Sequence, residues 1–83
     1  MSTILQKYTQ NYIVYSEAYS PSKHYSFHVQ ESIKVIVEGR NTSEAREKGR
    51  YEAQIMAPAP LLAMAKKRFP DAVLVPDSIR VGS

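Results

Sequence analysis

The pattern is clearest between Ile33 and Met56. Ile33, Val35 and Val37 alternate with Lys34, Ile36 and Glu38, the spacing of a half-buried strand. After Gly39-Arg40 the period changes. Asn41, Thr42 and Ser43 can each accept a hydrogen bond from the free N–H groups of a first helical turn, and Glu44 and Glu47 suit its positive end. Ala45, Gly49, Ala53 and Met56 then recur on one helical face. That face is nearly bare for two turns, so the helix backbone can lie close on a sheet.

Upstream, Tyr25, Phe27 and Val29 point one way and His24, Ser26, His28 and Gln30 the other, which predicts a second strand. The polar Gln30-Glu31-Ser32 predicts a three-residue hairpin loop. That length opposes Val29 to Ile33, Phe27 to Val35 and Tyr25 to Val37, all on the core face. No glycine serves the loop, and residues 25 to 37 keep one parity throughout, so a single long strand is the alternative.

Residues 4–19 support two readings. Tyr12-Ile13-Val14-Tyr15 has strand preference, whereas Leu5, Tyr8, Tyr12, Tyr15 and Tyr19 fall on one helical stripe. Tyr, Thr, Asn, Val and Ile are mediocre helix formers, which favours the strand. Residues 1–10 are polar and expected to fray. Ser20-Pro21-Ser22-Lys23 predicts a turn. The helix from about Thr42 must stop near Ala57, because Pro58 disfavours helical geometry before it. Pro60 can open a second helix, with Leu61, Leu62, Ala65 and Phe69 apolar and Lys66, Lys67 and Arg68 in its last turn. Ala72 to Val75 reads as a strand, Pro76 interrupts it, and Ile79 and Val81 resume the alternation at a sheet edge.

These elements predict one α+β domain over residues 1–83. Its mainly antiparallel sheet has three to four strands, in the order β-β-β-α-α-β, with both helices on one face. The other face would present His24, Ser26, His28, Gln30, Lys34, Ile36 and Glu38 to solvent or a partner. An edge at Ile79 to Val81 could pair with a second copy.

Composition narrows the function. With 43% hydrophobic and 23% charged residues among 83, the chain is of ordinary globular character. It has no cysteine, which excludes disulfides and thiolate metal sites. No apolar run is long enough to span a membrane and Met1 to Lys7 lacks signal-peptide character, so a cytoplasmic location is expected. The net charge is +3. Residues 1–39 sum to zero, and residues 40–83 hold eight basic against five acidic side chains.

No grouping of residues points to catalysis, a metal or a cofactor. His24 and His28 could share a strand face, but a structural zinc site needs four ligands and Glu38 is the only nearby carboxylate of matching parity. Glu44, Glu47 and Glu52 are explained as helix-surface partners of Lys48 and Arg50. The six tyrosines say more, because tyrosine supplies large contact area with few rotors and a polar tip. The expected protein-binding residues are Tyr12, Tyr15, Tyr19, His24, His28, Lys34 and Ile36. The alternative is phosphate contact with nucleic acid through Arg46, Lys48, Arg50, Lys66, Lys67 and Arg68.

In layout, SPSKHYSFHVQESIKVIVEG, NTSEAREKGRYEAQIM and the closing VPDSIRV resemble small phage and mobile-element accessory proteins, some anti-CRISPR proteins among them. The likeness runs from Ser20 to Val81 and concerns the order of pieces. It implies an inhibitor that blocks a host protein or nucleoprotein surface. Many anti-CRISPR proteins are acidic and imitate nucleic acid; this chain is basic, so blocking a protein surface is the route implied. The resemblance assigns no residue a role.

Overall fold

The computed structural model describes residues 4–82. The chain forms strands β1 (Gln6–Ser20) and β2 (Tyr25–Gly39), helices α1 (Thr42–Met56) and α2 (Pro58–Arg68), and the short strands β3 (Val73–Leu74) and β4 (Arg80–Gly82). The fold class is the expected one: an antiparallel sheet of four strands with two helices packed on one face.

The three-residue loop at Gln30-Glu31-Ser32 does not form. Residues 25 to 39 are one strand, joined to β1 by an unbroken ladder from Gln6↔Gly39 to Ser20↔Tyr25. The physical reason is parity. Glu31 takes an inward position opposite Val14, half-buried, and its carboxylate accepts the Ser32 N–H (3.0 Å), so a polar residue continues the pleat instead of ending it. The reversal falls at Pro21–His24, where the left-handed position goes to His24 (φ 50°) and its N–H reaches the Pro21 carbonyl (3.4 Å). Residues 4–19 contain no helix. Gln6 to Gln10, expected to fray, pair with Val35 to Gly39, and the first three residues lie outside the described range. Two strands of this length give an elongated body, 60 × 19 × 15 Å.

β1 is the central strand. β2 flanks one side, and β3 (opposite Ala18 and Tyr19) and β4 (opposite Ile13 to Tyr15) share the other. The expected interruption at Pro76 separates β3 from β4, and Ser78 bridges the gap. Its Oγ accepts the Glu17 N–H (3.1 Å) and lies 2.7 Å from the buried Ser16 Oγ, while the Glu17 carbonyl accepts Val75 N–H (2.8 Å). β1 therefore keeps its hydrogen bonds across a break no proline-bearing strand could fill.

The helices cover the inward face. Asn41 caps α1 by accepting the Glu44 N–H (2.9 Å), as its position predicted. α2 begins at Pro58, two residues before the expected Pro60, because proline at the first helical position loses no needed N–H. The buried positions of the helical layer are Ala45, Gly49, Ala53, Leu61 and Ala65, with Ala57 at the junction of the two helices, and they face Tyr12, Val14, Ala18, Phe27, Val29, Ile33 and Val35. Close approach is visible at Gly39, where an added Cβ would stand 3.1 Å from Ala45 N. At the hairpin end Phe69 meets Phe27 and Tyr25 at ring-centroid distances of 5.3 and 5.7 Å.

Asp71 ties the turn to the helical layer. It accepts Ser22 N–H and Ser20 Oγ–H, both at 2.8 Å. The Ser22 amide first, then the two serine hydroxyls, hold its carboxyl down from 3.8 to about 2. A depressed folded-state pKa stabilises the fold above the unfolded value, and that contribution is lost as pH falls from 3.8 through about 2. Asp71→Asn is therefore expected to lower the Tm at neutral pH and to flatten its fall across this acid window. Melts of both proteins at stepped pH check this, and parallel acid curves would count against the assignment.

Candidate functional site

Among the described residues, one sheet face has no second layer. On β1 it carries Lys7, Thr9, Asn11, Ile13, Tyr15, Glu17 and Tyr19, and on β2 Ser26, His28, Gln30, Ser32, Lys34, Ile36 and Glu38. Val73 and Arg80 extend it on the side of the short strands. Its apolar centre is Ile13 and Tyr15, each 44% exposed. The Tyr15 ring lies beside Gly82, 3.6 Å from where a Cβ would stand, an ordinary contact distance. Around this centre lie Gln30 and Ser32 across the ladder, Arg80 beside Tyr15, and His28 with its Nε2 3.5 Å from Glu17 Oε1. A depression of about 390 Å³ opens beside Tyr15, lined also by Ser16, Ser78 and Pro76.

The expected site residues divide. Tyr15, His28, Lys34 and Ile36 are exposed on this face, and Tyr19 is half-buried at its turn end. Tyr12 is a correction: it sits on the opposite parity, 3% exposed, with its hydroxyl donating to the Arg46 carbonyl (3.0 Å) and meeting the Gln10 amide. It is a core residue that orients α1. His24 is a second correction, since it lies in the turn with positive φ and not on the strand. Ile36 stands apart from the Ile13–Tyr15 centre, opposite Thr9. It lines a groove of about 740 Å³ with Glu38 of the β2 rim and Glu47, Lys48, Tyr51 and Glu52 of α1. Ile13, Tyr51 and Arg80 were missed in the sequence. Ile13 shares Tyr15's parity once the strand is accepted, and Tyr51 lies off the Ala45–Ala53 stripe.

The six cations of the nucleic-acid alternative are all exposed but are not equally free. Lys48 donates to the Glu38 carbonyl (2.9 Å) and pairs with Glu44 (3.2 Å), Arg50 donates to the Val81 carbonyl (3.0 Å), and the Arg68 guanidinium lies 4.9 Å from the Phe27 ring centroid. Arg46, Lys66 and Lys67 make no ion pair among the described residues. The Glu44 carboxyl is held below its ordinary value by hydrogen bonds from Lys48 and the Arg40 N–H. Among the described residues no three His, Asp or Glu side chains converge as metal ligands, and no helix is long and apolar enough to cross a membrane.

The chain matches no protein-family profile, no curated protein and no solved structure.

Proposed function

We propose that the domain is a non-catalytic protein-binding module whose uncovered sheet face, centred on Ile13 and Tyr15, docks on another protein. Support comes from one observation above all: the large apolar side chains Ile13, Tyr15 and Val73 stand in solvent on a sheet face that no second layer covers among the described residues. A partner would cover Ile13, Tyr15 and Val73 and leave Lys34, Glu17 and His28 at the rim. A standard interface hides ~800 Å² per partner, about an eighth of the 5923 Å² surface. On the sequence resemblance to small phage accessory proteins alone, the specific form of this reading is an inhibitor that occludes a host protein or nucleoprotein surface.

Tyr15→Ala is expected to abolish capture of a partner from host lysate and, once the partner is purified, to cost about 2 kcal/mol of binding, as central aromatic anchors do. The melting temperature should stay within a few degrees, because the ring is half in solvent. Undiminished capture by Tyr15→Ala and by Ile13→Asp would remove this face from consideration. The nucleic-acid alternative rests on the charge excess of residues 40–83. Duplex binding that falls steeply with salt and is lost on reversing Lys66 and Lys67 would favour it.

A further inference from the structure

β2 is an edge strand along its whole length, with β1 its only partner among the described residues. Its free hydrogen-bonding groups can be assigned. Glu17 sends its carbonyl to Val75, so odd-numbered residues of β1 bond toward β3 and β4, and even-numbered ones toward β2. The β2 residues opposite the latter are odd-numbered. The N–H and C=O groups of Ser26, His28, Gln30, Ser32, Lys34, Ile36 and Glu38 therefore point off the edge. Two of these groups are met by the chain's own side chains, Ser32 N–H by Glu31 and the Glu38 carbonyl by Lys48. Lys34 and Ile36, between them, are open. Of the usual protections of an edge, β2 carries Lys34 and the inward Glu31, but among the described residues it has no proline, no bulge and no covering loop. β4, where pairing with a second copy was expected, offers three residues against fifteen.

The edge is complementary to itself about one point. In an antiparallel pair with a two-fold axis at Ile36, Ile36 meets Ile36 of the second copy, and each Lys34 meets the other copy's Glu38. Neither Lys34 nor Glu38 makes an ion pair within its own chain among the described residues. Moving the axis to Lys34 or Glu38 sets like charges opposite each other. Moving it to Val35 or Val37 places Lys34 against Ile36 or Arg40. Only the axis at Ile36 satisfies both charges. The incoming strand would fill the groove of about 740 Å³ along this edge, covering Tyr51 of α1 (67% exposed) on the helix side and setting Ile36 (64% exposed) beside its counterpart on the open face.

We propose that the β2 edge is a homodimer interface, in which Ile33–Gly39 of two copies pair antiparallel about a two-fold axis at Ile36, each Lys34 on the other copy's Glu38. The two sheets become one, and both Ile13–Tyr15 faces lie on the same side of it. Lys48 releases the Glu38 carbonyl, which accepts the second copy's Lys34 N–H. This interface does not depend on the partner reading above, since it uses the edge and not the face.

Size-exclusion chromatography with light scattering on the full chain tests it. The wild type should run as a dimer. Lys34→Glu and Glu38→Lys should each weaken the dimer roughly ten- to hundred-fold, since two ion pairs become two like-charge contacts. The double variant K34E/E38K should restore it. A mixture of the two single variants should form a heterodimer, because one then offers two acids and the other two lysines. Circular dichroism shows that each variant is folded. A monomeric wild type overturns the proposal, as do single variants that stay dimeric, a double variant that is not restored, or an open-ended polymer.

Discussion

Leu61→Ala is expected to lower the unfolding free energy by about 3 kcal/mol, within the range for truncating a fully buried leucine. Leu61 has no exposed surface and is the one large side chain among the buried helical positions, the rest being alanines and Gly49. The alanines bring the helices close to the sheet but fill little volume. Leu61 supplies the bulk that engages the strands from α2, and the neighbouring alanine methyls cannot expand into the space it leaves. A domain of this length has about 4–12 kcal/mol in total, so the loss is a large share. Urea denaturation should show a lower midpoint with unchanged m. The half-buried Leu62→Ala serves as control and should cost well under half as much. A Leu61→Ala loss below about 1 kcal/mol would mean that α2 is held by something other than this side chain.

Gly49→Leu is expected to be comparably damaging, about 3 kcal/mol, although helix propensity alone favours the change by close to 1 kcal/mol. A Cβ on Gly49 would stand 2.6 Å from Gln10 Oε1 and 2.7 Å from the Tyr12 hydroxyl. The Gln10 amide is the far end of a flexible side chain and can move. The Tyr12 ring is buried and its hydroxyl is held by the Arg46 carbonyl, so the helix must lift. The smaller Gly49→Ala isolates the cause. Alone it should destabilise despite its better propensity, and adding Tyr12→Phe should recover part of the loss, because the nearest remaining ring atom is then 3.1 Å away. A double-mutant cycle measures that coupling. A stabilising Gly49→Ala would refute the close contact.

Neither residue reaches the open face, which gives the binding experiments their control. Loss of partner capture in Leu61→Ala reports unfolding, whereas loss in Tyr15→Ala with an unchanged melt reports the surface. Lys34→Glu and Glu38→Lys act on a third place, the rim of β2, and leave both the core and the Ile13–Tyr15 centre in place.

Much of the fold was legible because its causes are local. Asn41 caps α1 through its own side chain, Pro58 and Pro60 mark the helix junction, and Pro76 splits the last strand. The candidate face was legible less well. The parity of Tyr25 to Val37 told inside from outside along β2, and Ile36, Lys34 and His28 followed from it. Tyr12 and Tyr15 could not be sorted in the same way, since a strand and a helical stripe fitted residues 4–19 and the side of Tyr12 depends on which partner lies above it. Glu31 misled for a related reason. A polar residue at an inward position reads as a loop unless its carboxylate is known to find the Ser32 amide.

Local sequence alone determined the two periods, the caps and breaks, and the bare stripe that lets a helix lie close on a sheet, because each depends on residues within a turn or a pleat of one another. Only the tertiary structure decided that residues 25 to 39 are one strand, that Tyr12 is core while Ile13 and Tyr15 face water, and that no strand among the described residues lies beside the outer edge of β2. Those outcomes turn on which strand pairs with which and in what register, set by contacts between residues far apart in the chain, such as Ser16 with Ser78 and Ser20 with Asp71.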